Sequence, residues 1–276
     1  MIPTSSMRYW SDIMPAFYAH YRFGARVSGR LDGEIRKIIT KYHAQFAIGL
    51  QGPDLFFFYR PWSSNEVSAY GYHLHEISAY PFFEHGVSVV KEKGRDSREY
   101  AYLLGFICHF ILDSECHPYV AQMIEETGVP HLEIEEEFEK KLLRMDGKDP
   151  FAYRLEKLVP ADAETAAAAA AFYEKADPET VHQALRDLKM VKRLFTAPGK
   201  LEQHAINSVM KLLGKYDNWK GLMNQHQDNE KCFASNEGLM RRFDRAVPLA
   251  VKMMECFDES LQTGSPLDPR FDRTFE

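Results

Sequence analysis

The stretch AYLLGFICHFILDSECH, residues 101–117, decides the fold class of this 276-residue chain. Apolar side chains occur on every side of the helix that it would form, and it lacks the strict alternation of polar and apolar positions that marks a half-buried strand. A helix that is apolar around most of its circumference is normally buried. The stretch therefore predicts a buried helix at the centre of a helical protein.

The polar residues of this stretch follow a helical spacing. His109, Asp113 and His117 succeed one another in steps of four, which places them on one helical face about 6 Å apart. Such a stripe often faces water or forms a satisfied network in the core. The apolar flanks argue for burial, buried polar groups need partners, and imidazole and carboxylate groups are common zinc ligands. We expect the trio to bind metal, with Asp113 able to bridge two ions.

Pro118 predicts where this helix ends. Proline disfavours helical backbone at the residue before it and cannot donate the next helical hydrogen bond. We therefore expect a helix over residues 98–116, with His117 at its end, where the ring can turn toward a neighbouring site.

Apolar residues recur at three- and four-residue spacing along nearly the whole chain, so the predicted fold class is all-α. The alanine run 166–171 is interpreted as part of an ordinary helix, because alanine has the highest helix propensity. We expect a metal-binding core over residues 1–150 and a C-terminal helical extension over residues 151–276, packed together as one domain. The other predicted helices cover residues 16–28, 32–48, 65–73, 79–92, 131–144, 151–158, 163–175, 178–194, 200–213 and 236–261.

Composition limits where the protein acts and what it binds. Hydrophobic residues make up 45% and charged residues 27% of the chain, as in soluble globular proteins. No apolar run approaches the roughly 20 residues that cross a bilayer, and no signal peptide is recognisable near the start, so a cytoplasmic location is predicted. The net charge of −6 argues against a stable nucleic-acid partner. The cysteines form no CxxC pair and are expected to be reduced; they are Cys108, Cys116, Cys232 and Cys256.

Candidate ligands are concentrated in the first half of the chain. His131 and Glu135 repeat the four-residue spacing after Pro130, at a predicted helix start. Asp54 ends the sequence GLQGPD, whose rigid turn can present the carboxylate to a metal or use it as a helix N-cap. Eight of the eleven histidines lie within the first 131 residues; they are His20, His43, His73, His75, His85, His109, His117 and His131.

These residues occur in an order that resembles the zinc-dependent phospholipase C family, which is related to the S1/P1 nucleases. The resemblance covers about residues 14–139 and is strongest in residues 101–113 and 131–135. It implies an all-helical phospholipase C or P1 nuclease-like bundle with three metal ions in a cleft. The residues that carry it are His20, Asp54, His75, His109, Asp113, His117, His131 and Glu135.

The resemblance also implies how these ligands divide among two or three zinc ions. Asp54, His75, His109 and Asp113 would bind one zinc ion. The second ion would be bound by His117, His131 and Glu135, and the third by His20 together with the shared Asp113. His75 is preferred for the leucine before it and the aromatic pair at residues 82–83 after it, while His73 stays an alternative.

The implied function is hydrolysis of phosphate esters, with a phospholipid as one candidate substrate. Zinc ions can lower the pKa of a shared water toward 7, so that a metal-bound hydroxide attacks phosphorus, and Asp54 would act as the general base. The aromatic rings at residues 56–59 and 62 form either an apolar wall for substrate or, more commonly for such rings, part of the core.

The chain departs from the family pattern in three places. The family's third metal is completed by an N-terminal tryptophan freed by processing, whereas here Trp10 lies inside a chain that begins at Met1. We therefore expect the third ion to be held less tightly than the other two. The step from Asp113 to His117 is shorter than in the secreted enzymes, and the region beyond residue 151 shows no resemblance to a known family.

The sequence is compatible with two other functions. A nuclease or other phosphodiesterase would use the same metals, and a non-catalytic helical protein could bind them structurally. An HD-type phosphohydrolase would require a His-Asp dipeptide, and a di-iron bundle would require paired Glu-x-x-His motifs. Neither pattern occurs in the sequence.

Overall fold

A computed structural model describes residues 16–214 and 216–275, and within these residues the chain forms twelve α-helices and no β-strand. The predicted all-α fold is confirmed. Shorter 3-10 helices cover Gly52–Phe58, Leu155–Leu158, Lys220–Leu222, Glu230–Cys232 and Pro269–Phe271. The α-helices are α1 (Phe17–Ser28), α2 (Gly33–Lys41), α3 (His43–Gly49), α4 (Glu66–Glu76), α5 (Tyr80–Lys93), α6 (Arg98–Thr127), α7 (His131–Met145), α8 (Ala163–Ala170), α9 (Pro178–Leu194), α10 (Lys200–Leu212), α11 (Tyr216–Trp219) and α12 (Phe233–Thr263).

Helix α6 is the central element. It begins where the Ser97 hydroxyl accepts a hydrogen bond from the Tyr100 N–H, and it ends at Gly128 in the left-handed conformation. Every residue from Tyr100 to Ser114 is buried. Helices α3 and α12 pack most extensively against it, and α1, α5 and α7 also contact it. The prediction of a buried central helix is therefore confirmed.

Helices α3 and α6 approach each other closely enough to exclude a side chain at the crossing. A Cβ atom on Gly49 would overlap the Tyr102 carbonyl oxygen, and one on Gly105 would overlap the Phe46 carbonyl oxygen. The crossing places the end of α3, and the 3-10 helix Gly52–Phe58 that follows it, directly against the middle of α6.

The prediction that α6 ends at Pro118 is wrong, because the helix continues to Thr127. Proline removes one backbone hydrogen bond and strains the preceding turn. The turns beyond it nevertheless bury Val120 and Met123 in the core, and burying large apolar side chains of this kind stabilises by about 1.5–3 kcal/mol each. His117 therefore lies within a continuous helix rather than at its end.

Three other predicted helices differ from the observed ones. The helix predicted over residues 163–175 ends at Ala170. Residues 32–48 form two helices, because Tyr42 leaves the helical region with φ −115° and ψ 45°. Of residues 151–158, only Leu155–Leu158 is helical, as a 3-10 turn. The Asp149 carboxylate accepts a hydrogen bond from the Phe151 N–H, which satisfies the backbone locally and favours a turn over a helix.

The four cysteines are free thiols, as predicted.

None of the helices formed by the described residues is long and apolar enough to cross a membrane.

Candidate metal centre

Four of the predicted ligands converge from three elements of the chain. Asp54 comes from the 3-10 helix, His75 from α4, and His109 and Asp113 from α6. Their donor atoms lie within 4.8 Å of one another. His75 Nε2 is 2.9 Å from Asp54 Oδ1, and His109 Nε2 is 3.0 Å from Asp113 Oδ2. This first group has the composition and spacing of a single metal site.

A second group forms between α6 and the start of α7. His131 Nε2 is 3.1 Å from Glu135 Oε1, and His117 Nε2 is 3.8 Å from the same oxygen. These three donors also lie within 4.8 Å of one another. The four-residue spacing predicted to bring His131 and Glu135 together does so on the first turns of α7.

Asp113 lies between the two groups and also meets α1. While its Oδ2 faces His109, its Oδ1 lies 3.3 Å from His20 Nε2 and 4.0 Å from His117 Nε2. The structure thus brings all eight predicted residues into one cluster. Trp10, discussed above for the third metal, lies outside the described residues.

His75, and not His73, belongs to the cluster. Both residues lie on α4, but His73 is exposed while His75 is buried. The Nδ1 of His75 is 2.8 Å from the Gly71 carbonyl oxygen, which can only accept a hydrogen bond. His75 Nδ1 therefore donates to this carbonyl, and Nε2, on the side of Asp54, is the nitrogen placed to bind a metal.

Gly52 allows the turn that carries Asp54 to lie against α6. Its φ of +48° falls in the left-handed region that favours glycine, and an added Cβ would overlap the His109 ring.

The neighbouring rings of Phe56, Phe57 and Phe58 are all buried, so they belong to the core rather than to a substrate wall. Trp62 differs because its side chain is mostly exposed.

Several donor atoms of the cluster have no hydrogen-bond partner among the described residues, although they are buried. His109 Nε2 and Asp113 Oδ2 are 3.0 Å apart without the geometry of a hydrogen bond, and Glu135 Oε2 is also unpartnered. A buried polar atom left unpaired costs about 1–3 kcal/mol. Converging imidazole nitrogens and carboxylate oxygens are the donor set that zinc prefers. The residues present therefore fit zinc.

The electrostatics of the cluster favour a bound cation. Burial lowers the pKa of His20 to about 3 and holds the pKa values of His109 and His117 well below their usual range, so the imidazoles are neutral and able to coordinate metal. Burial raises the pKa of Asp54 and, strongly, that of Asp113, where the nearby carboxylates add to the effect. A divalent cation would stabilise the ionised form of both aspartates.

A buried lysine, Lys192, lies close to this cluster and was not predicted from the sequence. Burial lowers its pKa, and the negative charges of Glu139, Asp54 and Glu135 oppose that effect. The sequence does contain an indication that Lys192 is buried, because it interrupts the apolar face of α9 between Leu188 and Phe195. This indication is weak, because a single lysine on a helix usually extends to water.

A model of the zinc-dependent phospholipase C family matches residues 19–189. The chain belongs to this family. All eight clustered residues fall within the match. No curated protein matches the chain, and no solved structure does.

The family match extends further along the chain than the resemblance predicted from the sequence, which covered about residues 14–139. It continues past residue 139 through α8 and most of α9, so the expectation that no family resemblance exists beyond residue 151 is wrong. The structure gives the reason, because α9 packs against the 3-10 helix that carries Asp54. Helix α9 therefore supports the site, although it carries none of the eight clustered residues.

Proposed function

We propose that this protein hydrolyses phosphate esters with bound zinc, in the manner of a phospholipase C. The observation that carries the proposal is the pair of converging donor groups joined by Asp113, within the residues that match the family. A phospholipid is the substrate class that family membership favours. The negative net charge gives no support to a nucleic-acid substrate.

The proposed ligand sets follow the two groups. Asp54, His75, His109 and Asp113 would hold one zinc ion, and the group on α6 and α7 would hold a second. His20 and the second oxygen of Asp113 would contribute to a third. Zinc bound here would activate water and neutralise charge on the phosphoryl group.

Asp54 is proposed as the general base. Its Oδ1 faces His75, whose orientation is held by the Gly71 carbonyl, so the carboxylate occupies a defined position at the edge of the first group. The surrounding phenylalanine core excludes bulk water from this side. A proton taken from the attacking water would therefore stay on a buried carboxyl group until the product leaves.

The substrate is proposed to approach from the side of His131. The side chain of His131 is 16% exposed, whereas the other clustered side chains are at most 8% exposed. Approach from this side would bring a phosphate group to the second group first and leave Asp54 behind the reacting phosphorus.

Two measurements on the purified protein test the proposal. Elemental mass spectrometry should find two or three zinc ions per chain, and the zinc-loaded protein should hydrolyse phosphatidylcholine. An activated phosphodiester without acyl chains, assayed in parallel, separates a phospholipase from a general phosphodiesterase. Zinc binding without hydrolysis of either compound would instead indicate a structural role for the metals.

Matched histidine variants on α4 link any activity to the site. His75→Gln should lower activity by more than about 100-fold, beyond the range that loss of an outer partner of a metal ligand produces. His73→Gln changes the same residue type on the same helix, but at an exposed position, and should leave activity unchanged. Equal effects of the two variants would contradict the proposed ligand set.

A cytoplasmic location of the protein stays a prediction.

A further inference from the structure

Residues 269–275, here called the closing segment, lie beyond the family match and run across the elements that carry the clustered residues. Near the end of α4, the Ser78 hydroxyl donates to Asp272 at 2.6 Å, and the Ala79 N–H donates to the Arg273 carbonyl at 2.9 Å. On α6, the Arg270 guanidinium donates to Glu115 at 2.7 Å and to the Ser114 hydroxyl at 2.9 Å. The segment thus connects the end of α4 to the part of α6 between Asp113 and His117.

The ring of Phe275 packs against two of the clustered histidines. It is 2% exposed, and its centroid lies 5.0 Å from the ring of His75 and 5.6 Å from that of His109. The Phe110 ring, 5.2 Å away, contacts it on α6. Because Phe275 touches both imidazoles, its ring limits how far either can rotate away from Asp54 and Asp113.

The backbone of Phe275 contacts a histidine in each group. Its N–H donates to the His75 carbonyl at 3.3 Å. The His117 ring also forms a hydrogen bond with the backbone of Phe275, in which a ring N–H donates to the carbonyl oxygen. Since His117 Nε2 faces Glu135 and Asp113, the nitrogen that donates to Phe275 is Nδ1. Such a bond fixes the tautomer of a metal-binding histidine.

We propose that Phe275 is a positioning residue of the metal centre, acting on both donor groups. Its ring orients His75 and His109, and its carbonyl holds His117 in the tautomer whose Nε2 lone pair faces the cluster. The proposal rests on the ligand roles proposed above but is independent of the substrate. It assigns a part in metal binding to a residue more than a hundred positions from any clustered residue.

Phe271 provides a matched control within the closing segment. Its ring is fully buried and lies 4.3 Å from Phe83 and 6.0 Å from Phe257, with which it forms part of the core. It makes no ring contact with a clustered histidine among the described residues. A purely structural role for the segment predicts the same behaviour of the two phenylalanines, whereas a positioning role separates them.

The experiment compares Phe275→Ala with Phe271→Ala and measures zinc affinity by competition with a coloured chelator. Phe275→Ala should weaken zinc binding roughly 10- to 100-fold, the range for loss of an outer partner of a metal ligand. Phe271→Ala should lower the thermal midpoint by at least as much while keeping the wild-type zinc affinity. Phe275→Leu, which keeps an apolar side chain, gives a milder version if the alanine variant does not fold.

Nitrogen-15 shifts of the histidine rings in the zinc-free protein provide a readout that does not depend on bound metal. In the wild-type protein His117 should be a single tautomer protonated at Nδ1, and in a variant truncated after Thr274, which lacks the Phe275 carbonyl, a mixture. Unchanged zinc affinity in the Phe275 variants, or equal loss in Phe271→Ala, would overturn the proposal. Absence of zinc binding by the wild-type protein would overturn the proposed function itself.

Discussion

Asp113 is the residue through which the two donor groups are connected. It is 1% exposed, and its two oxygens face different partners: Oδ2 faces His109, and Oδ1 faces His20 and His117. A carboxylate placed in this way can bridge two metals roughly 3.5–4 Å apart. A side chain with one carbonyl oxygen and one amide nitrogen cannot, because the nitrogen has no lone pair to offer a metal.

Replacing Asp113 by Asn should therefore lower the zinc content by more than one ion per chain and abolish hydrolysis. Elemental analysis of the dialysed protein measures the first effect. Asp187→Asn is the matched control, because Asp187 is also buried but accepts hydrogen bonds from the Arg60 N–H and from Gln183, away from the cluster. Wild-type zinc content in Asp113→Asn would refute the bridging role.

Glu136 makes a separate, pH-dependent contribution to stability. Burial raises its pKa from 4.5 to about 8, against the opposing charge of Lys140 at 3.2 Å. Between these two pH values the folded chain holds a proton that the unfolded chain has lost. The stabilisation is complete below pH 4.5 and is lost as the pH rises toward 8, with a slope of up to about 1.4 kcal/mol per pH unit in the free energy of unfolding.

Glu136→Gln should flatten that dependence, because glutamine does not ionise and its carbonyl can still accept the Gln225 N–H that Glu136 accepts at 2.7 Å. Urea unfolding at pH 5 to 8 measures the slope. Glu125→Gln makes the same change at an exposed position on α6 and should leave the slope as in the wild type. A slope in Glu136→Gln that equals the wild-type slope would show that Glu136 is ionised throughout this range.

Among the elements, the 3-10 helix Gly52–Phe58 has the tightest steric constraint at the cluster. The methyl group of Gly52→Ala would overlap the ring of His109, and the alanine would have to adopt a positive φ. The variant should lose zinc affinity as well as stability, because His109 must move for the chain to fold. Zinc titration of the folded fraction, together with thermal unfolding, separates the two losses.

Gly128→Ala is the control for backbone strain alone. Gly128 ends α6 at φ +69°, and an added Cβ there meets nothing within 4 Å. Gly128→Ala should lower the free energy of unfolding by about 1–2 kcal/mol and leave zinc affinity unchanged. If Gly52→Ala behaved in the same way, the close packing of this helix on His109 would have no role in metal binding.

At the scale of the whole molecule, zinc binding and folding should be coupled. The cluster buries three carboxyl groups, of Asp54, Asp113 and Glu135. Metal bound only by the folded chain stabilises it, by about 2.7 kcal/mol at a free concentration of 100 times Kd, which shifts the thermal midpoint of a domain of this size by roughly 5–10 °C. Chelation should lower the midpoint by that amount, and added zinc should restore it.

Asp113→Asn provides the internal comparison for this effect. Since it should hold fewer ions, chelation should shift its midpoint less than that of the wild type. A wild-type midpoint that does not respond to chelator would contradict the coupling between metal binding and folding.

Features that arise within one helix follow from the local sequence alone. The spacing of His109, Asp113 and His117, and that of His131 and Glu135, sets a common face regardless of what packs around it. Apolar residues around α6 predicted its burial for the same local reason. The ordered set of ligand types was sufficient to indicate the zinc-dependent phospholipase C family.

Features that depend on packing between distant segments of the chain become visible in the folded molecule and not in the local sequence. His75 and His73 are two residues apart, and the position of α4 against the 3-10 helix determines which one is buried. Helix α6 continues past Pro118 because its later turns pack against apolar side chains. No rule based on local sequence predicts this packing. Phe275 reaches His75, His109 and His117 only because the chain returns across α6 after α12. Such contacts form between residues far apart in sequence, and local spacing carries no information about them.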